Sequence, residues 1–233
     1  MSFTPSKVFL MSNNQKEAFL EFEADEWFQR NKSFIESFDG SKDSVSRAIA
    51  NYAIPLNKVL EVGCSAGHRL NYLQRHYPQA SFSGLEPSQK AIANGQMAYP
   101  SVQFYPGTVD DMSMFADNSF DVVIIGFVFY VVDRALLLKS IGEIDRVLKN
   151  GGQLIILDFF YPKPFANHYH HIKDQETFAY KQSYEDIFLA SRLYHLLAKE
   201  TFNHSSGVQS VSEAYSELCS LTILKKDLRA VYQ

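Results

Sequence analysis

The chain has 233 residues, with 22 basic and 26 acidic side chains and a net charge of −4. No basic run or stripe appears, which argues against nucleic acid as the main partner. The longest apolar run, 122–132, is too short to span a bilayer, and the N-terminus lacks a signal-peptide pattern. Cys64 and Cys219 form no disulfide framework. These features predict a soluble, cytoplasmic protein with one substantial core.

A long amphipathic helix is predicted near the N-terminus. It begins at about Asn14 and stops near Gly40, and its apolar face comprises Leu20, Trp27, Asn31, Phe34 and Phe38, widened by Phe19, Phe28 and Ile35. Two interpretations stay open. The helix packs Trp27 on the core, or it is a lid over a ligand, with Arg30 or Asn31 reaching a polar group. A second helix is predicted over 44–52.

A strand, a sharp turn and a helix start follow one another around residue 63. A short apolar run ends in Glu61, and Gly63, Ser65 and Gly67 come next. A turn this tight needs glycine where φ is positive or where a ligand approaches the backbone. The dinucleotide fingerprint requires glycines at relative positions one, three and six. The second of these falls on Ser65 and the third on His68, so that fingerprint fails twice.

The next strand, 80–85, ends in Glu86, which lies 19 residues beyond Gly67. In open α/β sheets this edge is where ribose hydroxyls meet a carboxylate, which accepts from both hydroxyls. An exposed glutamate before a turn is the alternative. Pro87 then leads into another helix, capped by Ser88 or its neighbour.

Three further strands are predicted before residue 160. The first is 102–105, and the loop after it carries Val109, Asp110 and Asp111, whose acids helix capping would explain equally well. The second, 122–125, is a continuous apolar run typical of a strand buried on both faces. It ends at Gly126 and Phe127. A helix follows, with Leu137, Ile141, Ile144 and Leu148 on one face and a stop at 149–152. The fifth strand is 153–157, ending at Asp158.

Together these motifs resemble the class I S-adenosylmethionine (SAM)-dependent methyltransferase family. The resemblance covers roughly 57–160 and rests on Glu61-x-Gly63-x-Ser65-x-Gly67, on Glu86, on Phe120-Asp121 before the fourth strand, and on the run 143–152. It implies an α/β, Rossmann-like fold with a seven-stranded, mostly parallel sheet and helices on both faces. The implied strand order is 3-2-1-4-5-7-6, with an antiparallel C-terminal hairpin.

The resemblance also implies SAM as cofactor and methyl transfer to oxygen or nitrogen of a small-molecule acceptor, such as a sugar or natural-product precursor. Glu86 would bind the ribose, and Val109 would pack on the adenine with Asp110 nearby. The full set of implied cofactor-binding residues is Glu61, Gly63, Ser65, Gly67, Glu86, Pro87, Val109, Asp110, Gly126 and Phe127, with Trp27 and Arg30 from the lid. The single domain 1–233 would then comprise a helical lid (1–55), a SAM-binding core (57–160) and a substrate loop with C-terminal strands (161–233).

A histidine cluster follows the aromatic, proline-punctuated loop 159–164. His168, His170 and His171 surround Tyr169. Three histidines suggest zinc, but no cysteine or carboxylate lies at ligand spacing, and the implied methyl transfer needs no metal. We therefore predict no metal site. One of the histidines is predicted to be the general base for a hydroxyl acceptor, with Tyr169 beside it, and a surface loop without function is the alternative.

The C-terminal third is predicted to complete the sheet. Ser183 and Asp186 resemble a capping box before a helix, which periodicity would continue to Lys199. The family's sheet implies a strand at 193–202 instead. With a strand at 216–225 it would form the hairpin that distinguishes this fold from a dinucleotide-binding sheet. Two other functions stay open: a methyltransferase-like SAM-binding protein without turnover, and a nucleotide-sugar or NAD-linked enzyme. The expected partner is a small molecule, with a homodimer allowed and neither nucleic acid nor membrane expected.

Overall fold

The computed structural model describes residues 14–209 and 217–229. Its helices are α1 (Asn14–Phe22), α2 (Ala24–Glu36), α3 (Ser44–Asn51), α4 (His68–His76), α5 (Gln89–Ala98), α6 (Leu137–Val147) and α7 (Glu185–Ala190), with a 3₁₀ turn at Phe129–Val131. Its strands are β1 (Lys58–Val62), β2 (Ser81–Glu86), β3 (Gln103–Pro106), β4 (Phe120–Gly126), β5 (Leu148–Phe159), β6 (Phe165–His168), β7 (Phe178–Lys181), β8 (Tyr194–Asn203) and β9 (Leu218–Lys226). None of the described helices is long and apolar enough to cross a membrane.

Seven strands form one sheet in the order β3-β2-β1-β4-β5-β9-β8. The first five pair in parallel, whereas β9 is antiparallel to both β5 and β8. The predicted fold class and strand order are confirmed, with β8 and β9 as the sixth and seventh strands. The first residue of the predicted last strand, Ser216, lies outside the described residues.

The central strands are buried on both faces, which is why they are apolar without alternation. On β1, Leu60 packs in one cluster with Ile144 of α6, whereas Val59 packs in another with Val45 of α3 and Leu70 of α4. Successive side chains of a strand point to opposite faces. A continuous apolar run therefore needs helices on both sides of the sheet, and these clusters supply them.

The carboxyl ends of six strands meet at one edge of the sheet. Five of them, β1 to β5, pair in parallel. Because β8 is antiparallel to β9, and β9 to β5, β8 also ends at this edge, where Phe202 and Phe159 both pair with Cys219. Residues that follow these strands can therefore share one site.

The prediction of one long N-terminal helix is wrong, because the helix is interrupted at Glu23 and forms two helices, α1 and α2. At the break, Glu23 has φ −120° and ψ −36°, and its side chain turns into the protein. The predicted apolar face is also wrong in part: Leu20 and Phe34 are 44% and 61% exposed. Phe28 and Ile35 are the buried residues of α2, since only a narrow stripe of this helix meets the rest of the molecule.

Three local predictions in the second half also change. The segment that follows the aromatic loop contains β6 and β7, a separate two-stranded antiparallel sheet. In the described chain the capping box does not form, since Tyr184 is the N-cap of α7 and the Ser183 hydroxyl accepts from Lys199 Nζ at 3.3 Å instead. The predicted turn at 149–152 lies within β5, between the pairs Phe120↔Leu148 and Val122↔Gln153, where the register shifts.

Candidate functional site

The turn after β1 contains three residues with left-handed backbone. Gly63, Ser65 and Gly67 have φ of +73°, +49° and +75°. A Cβ on Gly63 would lie 2.5 Å from Val128 Cγ2, and one on Gly67 would lie 2.6 Å from Phe104 Cζ. Both glycines are therefore required by conformation and by space within the protein itself. Ser65 adopts the same conformation with a side chain.

Glu86 connects this turn to the start of α5. The residue is 8% exposed, its Oε2 accepts from Ser65 N at 2.8 Å, and its Oε1 accepts from Ser88 N at 2.9 Å. Ser88 caps α5 by accepting from Ala91 N, and Pro87 lies between them. Burial raises the pKa of Glu86 to about 7, against the two backbone N–H groups, which lower it. Each carboxylate oxygen keeps a further lone pair for a ligand.

Glu61 is held in a buried ion network that the sequence did not predict. Its Oε1 accepts from Arg69 Nη1, and Arg69 also donates to both oxygens of Asp43 at 2.9 Å. Asp43 in turn caps α3 through Ser46 N at 2.8 Å. Burial raises the pKa of Glu61, and Arg69 only partly offsets it. Within the described residues, Glu61 Oε2 has no partner. One sequence signal was present, because Arg69 is a cation in the first turn of a helix, where the dipole disfavours it.

The ends of β4 and β5 are joined by Asp158. This carboxylate is 1% exposed and accepts from the backbone N–H groups of Val128, Phe129 and Phe159 at 3.1, 2.8 and 2.8 Å. Burial raises its pKa to about 7, against these donors. The arrangement fixes the turn that leaves the sheet directly beside Gly63.

Gly126 and Phe127 occupy different parts of this edge. Gly126 lies over the ion network, since a Cβ there would be 3.1 Å from Arg69 Nη1. Phe127 has φ +54°, and its ring lies 5.2 Å from Phe159 and 5.1 Å from His204. His204 follows β8, and no prediction included it. The strand order could have identified His204 as a candidate, since it places the end of β8 at the edge that carries Phe159.

The loop after β3 contributes one core residue and one acid. Val109 is 4% exposed and packs in the same cluster as Leu85. Asp110 is 5% exposed and accepts from Lys16 Nζ at 2.8 Å. Burial opposes the charge on Asp110, but the hydrogen bond from Lys16 leaves its pKa lowered.

The N-terminal helices cover this edge of the sheet. Trp27 and Phe28 of α2 pack with Ala66 and Ala91. Besides the Lys16 contact, Asp25 Oδ1 accepts from Ser88 Oγ at 2.6 Å, and Gln15 Nε2 donates to Val131 O at 2.8 Å. Residues of α1 and α2 thus contact the loops after β1, β2, β3 and β4.

Arg30 belongs to a second polar cluster, whose centre is a buried carboxylate. It donates to Glu23 Oε1, and the hydroxyl of Tyr169 donates to the same oxygen. Glu23 is 3% exposed, and the Tyr130 ring lies 6.3 Å from that of Tyr169. The structure therefore brings together two predicted residues, Arg30 and Tyr169, through a glutamate that was not predicted.

The three predicted histidines do not converge. His168 stacks on Phe178 at 4.8 Å, whereas the rings of His170 and His171 lie 3.9 Å apart. His171 lies 5.5 Å from Tyr169, and its pKa is lowered by burial, Arg30 and His170. All three histidines are exposed. Among the residues described, no three His, Cys, Asp or Glu side chains are arranged to hold a metal ion.

A cavity of about 230 Å³ lies elsewhere, at the amino ends of the strands, beside Asp121 and Lys149. These two side chains pair with each other at 2.8 Å. The cavity is lined by none of the residues at the carboxyl edge, so it is separate from the candidate site.

Comparison with known proteins agrees with this geometry. Residues 60–156, which include the turn, Glu86 and Gly126, match the family model described as a methyltransferase domain. This match supports the predicted resemblance to class I SAM-dependent methyltransferases. The matched segment contains β2, β3 and β4 and most of β1 and β5, five of the strands that run toward the candidate site.

Two curated methyltransferases are similar to part of this chain. A phthiotriol/phenolphthiotriol dimycocerosates methyltransferase of Mycobacterium ulcerans is 32% identical over 43% of this chain and 37% of its own length. A demethylmenaquinone methyltransferase of Renibacterium salmoninarum is 31% identical over 50% of this chain and 48% of its own length. The chain thus spans less than half the length of these relatives.

One solved structure extends the likeness of fold to nearly the whole methyltransferase chain. It is the 1,6-didemethyltoxoflavin-N1-methyltransferase of Burkholderia thailandensis with bound 1,6-didemethyltoxoflavin and S-adenosylhomocysteine. The two chains superpose with a TM-score of 0.70 at 10% identity, over 97% of this chain and 93% of the other. At this identity the comparison shows the fold alone.

Proposed function

We propose that this protein transfers the methyl group of SAM to a small-molecule acceptor. The observation that carries the proposal is the hydrogen bond from Ser65 N, in the turn after β1, to Glu86 Oε2, at the end of β2. It brings the glycine-rich turn and a buried carboxylate together at the carboxyl edge of a sheet with the methyltransferase strand order.

The residues at this edge fit SAM. Glu86 keeps lone pairs for the ribose hydroxyls. Two buried oxygens, Ser65 Oγ and Glu61 Oε2, have no hydrogen-bond partner within residues 14–209 and 217–229. Buried polar atoms without partners cost free energy, so a polar ligand that reaches them would be stabilised. Ser65, Glu61 and Glu86 would therefore hold SAM from its amino-acid end to its ribose.

SAM supplies a methyl group already activated by its sulfonium. The chain's contribution is to hold the acceptor beside that group, since proximity and orientation alone can lower a barrier by roughly 7–11 kcal/mol. The acceptor would lie against the residues after β4 and β5. A hydroxyl or amine acceptor would fit this proposal. The curated relatives' names give phthiotriol/phenolphthiotriol dimycocerosates and demethylmenaquinone as what those enzymes methylate.

The N-terminal helices would act as the lid. Glu86 and Asp110 are 8% and 5% exposed, so the carboxylates proposed for the cofactor are covered. Because α1 and α2 lie outside the sheet and cover the loops after four strands, they are the elements that would move to admit SAM.

The test combines binding and turnover. Calorimetry should show SAM and S-adenosylhomocysteine binding to the purified protein, whereas NAD should not bind. Methyl-labelled SAM is then incubated with a small-molecule extract, and the label should move to a product of low mass. SAM binding with no transfer to any fraction would favour a binding protein without turnover, and binding of NAD in place of SAM would refute the proposal.

A further inference from the structure

A buried carboxylate with one unpaired oxygen lies outside the cofactor-binding turn. Glu23 Oε1 accepts from both Arg30 and Tyr169. Its Oε2 is buried and has no hydrogen-bond partner among the described residues. Leaving a buried carboxylate oxygen without a donor is costly. Glu23 thus offers an unused acceptor to a donor group from outside the chain.

A row of aromatic side chains begins at this carboxylate, and we call it the aromatic wall. Its members are Tyr169, Tyr130, Phe159, Phe127 and His204. Tyr130 lies 6.3 Å from Tyr169 and 5.0 Å from Phe159, and Phe159 lies 5.2 Å from Phe127 and 5.1 Å from His204. The last four members follow β4, β5 and β8 at the edge that carries the cofactor residues.

We propose that Glu23 and the aromatic wall bind the methyl acceptor, and that this acceptor is a planar ring bearing a hydroxyl group. The inference rests on the proposed methyltransferase function. An ionised carboxylate accepts hydrogen bonds and does not donate them, so Glu23 Oε2 selects a donor. The wall favours a ring, because aromatic groups gain from stacked or edge-on contact with one another.

Charge separates a hydroxyl from an amine in this site. The groups facing Glu23 are the Arg30 guanidinium, the Tyr169 hydroxyl and, at longer range, His171. The Arg30 guanidinium offsets the charge of Glu23, so the pair offers a cationic amine little net attraction, whereas a neutral hydroxyl needs only the free acceptor oxygen. Glu23 also lies at the break between α1 and α2, so the helix movement that admits SAM also exposes Oε2.

The probe is 4-nitrophenol, whose phenolate is yellow and whose neutral form is not. Protein saturated with S-adenosylhomocysteine should bind it in the neutral form, with its hydroxyl donating to Glu23, so that the yellow colour decreases on binding. The matched ligand is 4-nitroanisole, which has the same ring without the donor. It should bind about tenfold or more weakly, the difference expected for a hydrogen bond to a charged group.

Variants identify the residue responsible. With Glu23→Gln the yellow colour should no longer decrease on binding, because the amide can also donate a hydrogen bond to a phenolate. The control is Glu21→Gln, which changes an exposed glutamate on α1 and should behave as wild type. Tyr169→Phe keeps the carboxylate and removes a competing donor, so it should bind neutral 4-nitrophenol at least as tightly. This second variant keeps the test valid if Glu23→Gln does not fold.

The outcomes separate the two proposals. Equal affinity for 4-nitrophenol and 4-nitroanisole, an unchanged response in Glu23→Gln, or no binding by Tyr169→Phe would each overturn the acceptor site. Wild-type protein that binds S-adenosylhomocysteine but not 4-nitrophenol would overturn this inference alone. Wild-type protein that does not bind S-adenosylhomocysteine would refute the methyltransferase proposal together with it.

Discussion

At the scale of single residues, Glu86 has the environment of a ligand-binding acid. Its two backbone donors, Ser65 N and Ser88 N, stabilise the charge, whereas burial opposes it and raises the pKa to about 7. Because the pKa lies near neutrality, small changes of pH change the carboxylate's capacity to accept hydrogen bonds.

We expect adenosine to bind more tightly as the pH rises through about 7. The ionised form of Glu86 accepts from both ribose hydroxyls, whereas the protonated form has less acceptor capacity. Glu86→Gln should weaken binding at pH 8 by roughly 1.5–3 kcal/mol and remove the pH dependence. Calorimetry from pH 6 to 8 measures this, with 2′-deoxyadenosine as the control that lacks one hydroxyl. A flat profile in wild type would contradict the role of Glu86.

Gly63 is constrained by the protein's own packing, because a Cβ added at this position would clash with Val128 as well as with any ligand. Gly63→Ala should therefore lower the free energy of unfolding, by at least about 1–2 kcal/mol from the left-handed backbone alone. The control is Gly142→Ala on α6, where a Cβ would meet nothing within 4 Å. That change should instead stabilise by roughly 0.5–1 kcal/mol. Denaturant unfolding of both variants checks the pair, and equal effects would show that the contact with Val128 is unimportant.

At the scale of elements, the network of Asp43, Arg69 and Glu61 ties α3, α4 and β1 together. Arg69 is buried between two carboxylates and pairs with both. The network therefore joins the helical layer to the strand that leads into the turn. A buried ion network is not by itself stabilising, but removing one partner leaves the other charges uncompensated.

Arg69→Met should cost roughly 3–5 kcal/mol of unfolding free energy at pH 7. Without Arg69, the pKa values of Glu61 and Asp43 rise in the folded state above their unfolded values. Protonation then relieves the buried charge, so the deficit should shrink as the pH falls from 7 to 5. Arg75→Met, an exposed arginine at the end of the same helix, should cost little. A deficit that stays constant with pH would mean that lost packing, and not charge, causes it.

At the scale of the whole molecule, the N-terminal helices cover the edge at which six strands end. Their contacts combine polar bonds with two small apolar clusters. Trp27, Phe28 and Ile35 pack with Ala66 and Ala91, and Ala18 and Phe19 pack with Tyr169. Such a layer can open without disturbing the sheet. The cofactor and acceptor would then both be enclosed by the same movement.

If this layer is the lid, SAM should slow amide exchange across residues 19–38 and change the fluorescence of Trp27, the only tryptophan. Strand β9, which is distant from the lid along the sheet order, should keep its exchange rates and serves as the internal control. Confirmed SAM binding with no change in either signal would leave Trp27 as a packing residue.

Much of the molecule follows from the sequence alone, since its signals are local. The apolar runs at 59–62 and 122–125, the glycines at 63 and 67, and Glu86 at a strand end each act over a few residues. They predicted the strands directly, whereas the strand order and the cofactor edge were implied by the family resemblance that these motifs carry. The chain resolved one ambiguity as predicted, because β8 forms a strand where helical periodicity also continued.

Only the tertiary structure decided which side chains meet across the chain. Glu23 and Tyr169 are 146 residues apart, and the helix break that turns Glu23 inward has no local signal such as proline or glycine. Arg69 meets Asp43 only once α3 packs beside β1, and His204 joins Phe127 and Phe159 only because β8 runs parallel to β5. Periodicity reports how each segment is buried. It does not report which partner buries it, because that depends on the packing of segments far apart in sequence.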